Sequence, residues 1–202
     1  MVLYQGTFYI YITMIKELAY RNRSYRRFYE EQLVEKETLV DLVDLARVAA
    51  SGKNLQSLKY FVVNDKFTNH KVFTTLAWAG YLKEWDGPVA GERPSAYIVI
   101  LEDTSIGTGM VHDQGLAAQN ILLGAVEKGL GGCIIASVKR PQLAAILNLP
   151  SHLTITLVIA LGKPKEEVVI DPIKDNDIKY WRDEDHVHHV PKRSLEEIII
   201  NW

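Results

Sequence analysis

The chain has 202 residues, 48% apolar and 24% charged, with a formal net charge of -2, enough for one well-filled core and ordinary for a globular protein. With no global basic excess it does not read as a general nucleic-acid binder, and no run is apolar and long enough to span a bilayer as a helix, so neither partner is expected. A single cysteine, Cys133, excludes an intrachain disulfide framework and suits a reducing compartment, so a cytoplasmic location is expected.

Residues 1–13 are apolar but lack a basic leader and a small-residue cleavage site, so they read as an extension, native or not, ahead of a single domain over 14–202. Residues 14–21 have the spacing of a short helix and deliver the chain to Arg21-Asn22-Arg23-Ser24-Tyr25-Arg26-Arg27-Phe28. Four arginines and a serine hydroxyl in eight residues suit a phosphate, because guanidinium forks bind phosphate oxygens bidentately. Thr38 with Asp41 looks like a capping box, and Leu39, Leu42, Val43, Ala46, Ala49 and Ala50 predict an amphipathic helix ending near Ser51-Gly52. The polar loop 51–57 leads into a strand over Leu58–Val63, and Phe67–Tyr81 has the spacing of a second helix.

A Gly/Pro-punctuated loop then precedes Ala96–Leu101, a continuous apolar run of the kind buried on both faces. Asp113 is expected to cap a helix through Lys128, and glycines 129, 131 and 132 turn it into a strand over Cys133–Ala136. Pro141 fits the first position of a short helix reaching Leu147, and Thr154–Leu161 reads as the next strand. Residues 165–190 look charged and irregular, with His186, His188 and His189 in a solvated loop and no metal site expected. The terminal run over Ser194–Trp202 is too apolar to trail free, so it folds back as an edge strand or joins the sheet of a partner subunit. Alternating helices and strands give an α/β layer domain, and on their own would suggest a parallel sheet.

Four segments together resemble the FMN-dependent nitroreductase family: RNRSYRRF, ASGKNLQSLKYFVV, DQGLAAQNILLGAVEKGLGGCII and PKRSLEEIII. The resemblance runs from about Met14 to Trp202. It implies an α/β fold of the α+β nitroreductase type, with a mostly antiparallel central sheet flanked by helices and an intertwined homodimer that exchanges its C-terminal strand. It also implies FMN as cofactor, with Arg23 and Ser24 on the phosphate and Arg26 near the ribityl chain and the pyrimidine edge. Ser51, Asn54 and Gln56 would line the flavin from the other subunit, Ala136 and Ser137 would face flavin N5, and Lys192 with Arg193 would reach the phosphate. Asn22 departs from the family pattern, which often has a basic residue there.

The function implied is an NAD(P)H oxidoreductase that reduces nitroaromatics, quinones or similar acceptors in ping-pong fashion, with no side chain required as a catalytic acid or base. A flavin-binding sensor or carrier without turnover is the alternative. A phosphoinositide- or RNA-binding module would use RNRSYRRF as a surface patch and purify colourless. Arg27 reads as solvated charge.

Overall fold

In the computed structural model, residues 15–108 and 111–201 are described; the expectations for residues 1–14 and Trp202 lie outside them. A helical segment, α1 (15–21), precedes the basic stretch, and α2 (Lys36–Arg47) follows it. Helix α2 begins before Thr38, so the expected capping box is absent, and the N-cap Glu35 makes no side-chain cap. What fixes its entry is a hydrophobic staple. Val34, just before the N-cap, and Leu39, in the first turn, are both buried in one cluster.

A 3-10 turn (Gly52–Asn54) then leads to β1 (Leu58–Val63), with the bounds the residue pattern predicts. Helix α3 is only Lys66–Phe73, capped by the Asp65 carboxylate, which accepts the Thr68 N–H at 2.8 Å. It stops well short of Tyr81, and Leu76 instead forms an antiparallel bridge with Val138. Strand β2 (Ala96–Asp103), α4 (Asp113–Glu127), β3 (Gly131–Ile135), α5 (Arg140–Ile146) and β4 (Leu153–Gly162) complete the body. Pro141 lies in the first turn of α5, as expected.

The central sheet runs β1-β2-β4-β3 and every pairing in it is antiparallel. The parallel arrangement suggested by alternation alone is therefore corrected, and the nitroreductase-like α+β fold is the one observed. Alternation along β2 explains why both faces are covered. Ile98 and Ile100 pack with Leu42 of α2 and Ile121 of α4, while Tyr97, Val99 and Leu101 pack with Val72 of α3 and Leu143 of α5. A Cβ on Gly124 would strike Leu45 of α2, so the α2–α4 approach depends on the missing side chain.

The charged segment is not irregular. It forms a second sheet of β5 (Val168–Pro172), β6 (Trp181–Arg182) and β7 (His188–Lys192) in the order β5-β7-β6. The terminal segment differs too. Leu195–Ile198 is a helical turn, α6, rather than a strand folded back on its own chain. Ser194 and Glu197 form a reciprocal capping box, which favours the helix at this point. Leu195 and Ile198 are more than half exposed and Ile200 is wholly exposed.

Candidate functional site

The basic stretch is held against the sheet by backbone pairing and by two glycines. Ser24 forms a parallel bridge with Gly132, and the Tyr25 N–H donates to the Gly132 carbonyl at 3.1 Å. The Tyr25 ring lies where a side chain on Gly131 would be, and Phe28, fully buried, lies against Gly162. These close approaches are available only because neither glycine carries a Cβ.

One buried carboxylate then organises the arginines. Glu166 Oε1 accepts the backbone N–H groups of Arg26 and of Arg27, the latter at 3.1 Å, and its Oε2 accepts the Arg182 guanidinium at 2.9 Å. Arg27 is not a solvated charge. Its guanidinium grips Glu92 bidentately at 2.6 and 2.7 Å, and Lys165 adds a third contact at 3.0 Å. These partners, Arg27 foremost, hold the Glu92 carboxyl down to about 2. Arg21 pairs with Glu17 at the surface.

Arg23, Ser24 and Arg26 remain, and with Lys192 they line one cavity of about 320 Å³. Arg23 donates one amine to the Ala19 carbonyl at 2.8 Å, while its Nε is buried with no partner. Arg26 lies over the Tyr180 ring, 5.0 Å from its centroid, with Nη1 at 3.2 Å from His188 Nε2. Arginine can only donate, so Nε2 must accept, which makes this imidazole neutral with its proton on Nδ1. Burial, followed by the charges of Arg26 and Arg182, lowers the His188 pKa to about 4, in agreement with that assignment.

A neighbouring cavity of about 200 Å³ shares Arg26 and Ile134 and is lined also by Ala136 and Ser137. The two cavities place the strand end beside the basic stretch. Arg193 does not line either one, since it turns to Glu197 at 3.0 Å.

Ser51 and Gln56 belong to a different cavity, of about 140 Å³, which shares no lining residue with the first two. Here Asp113 does not act as the expected cap of α4. Its carboxylate reaches across to accept Ser51 Oγ–H at 2.7 Å and the Gly52 N–H at 3.0 Å. Ser51 Oγ in turn accepts the Gln56 N–H at 2.9 Å, and the Gln56 side-chain amide donates to the Asn54 carbonyl at 3.2 Å. Lys53, Asn54 and Gln56 all have φ near +53°, so this clasp holds a backbone that L-residues rarely adopt.

Sequence reasoning missed His188 and Tyr180, which complete the wall around Arg26. The reading of the histidines as a solvated loop is corrected: His188 is fully buried, and His189 stacks on Trp181 with ring centroids 4.7 Å apart. The available signal was the period of two in the strand that precedes Lys192, which turns His188 and His189 to opposite faces.

The nitroreductase family model matches residues 19–163. Among curated relatives, a Cr(VI) reductase of Pseudomonas sp. (strain G-1) is 26% identical over 172 residues, covering 79% of this chain and 70% of that protein. The iodotyrosine deiodinase of Thermotoga neapolitana is 25% identical over 170 residues, covering 76% and 90%. Among solved structures, an FMN-dependent nitroreductase of Clostridium difficile R20291 superposes with a TM-score of 0.62 at 22% identity, covering 92% of this chain and 98% of that one.

Proposed function

The chain belongs to the nitroreductase family of oxidoreductases, and from that premise we propose that it is an FMN-dependent NAD(P)H oxidoreductase acting on small acceptors such as nitroaromatics or quinones. The observation that carries the reading is the convergence of Arg23, Ser24, Arg26 and Lys192 on one cavity. A phosphate monoester supplies the acceptor oxygens such a donor set lacks, so the residues present fit the anionic end of FMN. The flavin, when bound, supplies hydride acceptance and release, chemistry that no side chain of this site can perform.

The chain's own residues bind and orient. Arg23, Ser24 and Lys192 would hold the phosphate. Arg26, steadied by Tyr180 and His188, would keep a positive charge beside the pyrimidine edge and favour a reduced, anionic ring. Ala136 and Ser137 would offer backbone at the strand end. Ser51, Asn54 and Gln56 would complete the site from a second copy of the chain, with the exposed terminal segment exchanging between subunits. Lys192 is the member of the Lys192–Arg193 pair that the cavity favours.

Two measurements test this reading. The purified protein is expected to be yellow, to bleach with anaerobic NAD(P)H and to regain colour when a quinone is added. Donor and acceptor sharing one pocket would give parallel double-reciprocal plots, and intersecting lines would defeat the shared-pocket mechanism. Separately, a charge-assisted hydrogen bond contributes about 1.5–3 kcal/mol, so Arg23→Ala should weaken FMN binding by about 10–100-fold in equilibrium dialysis. Unchanged affinity would remove Arg23 from the phosphate site.

A further inference from the structure

Arg26 stands at the boundary of two cavities, since it lines both the one with Ser24 and Lys192 and the one with Ala136 and Ser137. Glu166 fixes its backbone N–H, but the long side chain needs fixing of its own. One terminal nitrogen provides this. Nη1 donates to the Ser24 carbonyl at 3.2 Å and lies 3.2 Å from His188 Nε2, so its two hydrogens have two acceptors. Among the described residues none accepts from Nη2 or Nε, which leaves the rest of the guanidinium fork uncommitted.

The Ser24 carbonyl belongs to the same stretch of chain, whereas His188 comes from 162 positions away. Its place is set from both sides. Strand β7 is the middle strand of the second sheet, where His188 pairs with Val168 of β5 and Arg182 of β6, and its N–H donates to the Glu167 carbonyl at 2.9 Å. The ring is fully buried, with its centroid 5.2 Å from that of Tyr180, the same ring over which the Arg26 guanidinium lies. Imidazole, phenol and guanidinium are therefore in mutual contact. Only a neutral imidazole can accept here, and its neighbours favour that form. The charged groups acting on it are Arg26, Arg182 and His189, with Arg23 and Lys192 on the same cavity, and no described carboxylate meets its Nδ1.

We propose that His188 is a positioning residue for the flavin reaction: its unprotonated Nε2 holds Arg26 Nη1, keeps the free part of the fork for the bound flavin, and so sets the reduction potential. The inference rests on the flavin reading above and deepens it by naming the group that holds the cation. A reduced flavin carries negative charge that the oxidised ring lacks, so a cation held beside it favours reduction. Without an acceptor at position 188, one hydrogen of Nη1 is left unpaired in a part-buried place, and the guanidinium turns away to find a partner. His188 acts through Arg26 and need not touch the flavin.

The test combines potentiometry on the FMN-loaded protein with nitrogen NMR of the histidine rings in the flavin-free protein. His188→Phe keeps an aromatic ring against Tyr180 but removes the acceptor. It should lower the affinity for reduced relative to oxidised flavin about tenfold, a potential about 30 mV more negative for a two-electron couple. His188→Gln restores an acceptor oxygen and should recover most of that shift. In an Arg26→Ala background His188→Phe should add no further shift. A loaded His188→Phe variant with unchanged potential would overturn the inference, as would a shift that persists without Arg26. A purely structural role would lower the melting temperature and leave the potential where it was. In the flavin-free protein the His188 proton is expected on Nδ1 alone, and a proton on Nε2 would overturn the inference whatever the protein binds. A wild-type protein that takes up no FMN would instead defeat the flavin reading itself.

Discussion

Glu166→Ala should destabilise the protein by roughly 3–5 kcal/mol, the usual cost of removing one partner from a buried ion pair. At this chain length that lowers the melting temperature by about 6–20 °C. The Glu166 side chain is wholly buried and Arg182 is 13% exposed, so water cannot replace the lost partner. Two backbone N–H groups, of Arg26 and Arg27, lose their acceptor in the same step. Because Arg26 is part of the wall of the basic cavity, flavin affinity should fall together with stability. Glu166→Gln keeps an acceptor oxygen and should cost less, the remainder reporting the lost charge opposite Arg182. Urea melts of the three proteins decide the matter, and a loss below about 1 kcal/mol for the alanine variant would show that Glu166 does not organise the stretch.

The two adjacent histidines of β7 should give the protein opposing pH dependences. His188 has a folded pKa of about 4 against an ordinary 6.5, so the fold prefers its neutral form. Its contribution is fully present above pH 6.5 and is lost as pH falls from 6.5 toward 4, by roughly 3 kcal/mol at 1.36 kcal/mol per unit. His189 works the other way. Its Nδ1 lies 2.7 Å from Asp171 and its Nε2 3.1 Å from Asp183, and carboxylates only accept, so the ring is an imidazolium. The hydrogen bond to Asp183, followed by that to Asp171, raises its pKa. That contribution is fully present below the ordinary pKa and is lost as pH rises through the raised value; solvent screens it, since the side chain is 21% exposed. His188→Phe should therefore flatten the acid side of a stability–pH curve, and His189→Asn should flatten its near-neutral side more weakly. An acid side unchanged by His188→Phe would show that the ring does not titrate with folding.

How far the sequence revealed this arrangement depended on the distance over which the deciding contacts act. Strand β1 and the Pro141 start of α5 rest on local signals, and both were legible. The antiparallel sheet was not, because alternation of helix and strand is silent on strand direction; the family resemblance supplied it. Residues 165–190 looked irregular because their charges find partners far away or across strands: Glu166 with Arg26 and Arg182, and His189 with Asp171 and Asp183. A window along the chain sees those as solvated charges. In the candidate site, the family resemblance singled out Arg23, Ser24, Arg26 and Lys192, which one cavity brings together, whereas residue type marked only the arginine stretch as a whole. It could not separate Arg26 from Arg27, since only the position of Glu92 makes the second a structural ion pair. Ser51 and Gln56 stand apart from that cavity within a single chain, so the part proposed for them and for Asn54 would need a second copy.

Arg26 meets Glu166 across 140 positions of sequence and His188 across 162. Protein synthesis adds about 5–20 residues per second, so the arginine stretch is made roughly 7–30 s before the carboxylate that anchors it. For most of that interval Tyr25 has no Gly131, and Phe28 no Gly162, to rest against, since those residues are made later too. The wall of the basic cavity is thus among the last parts of the molecule to form on the ribosome, although its first residues are among the earliest made. A nascent chain that stops anywhere before residue 166 carries the arginines without their anchor, so the proposed phosphate site would form only on a chain translated past that point.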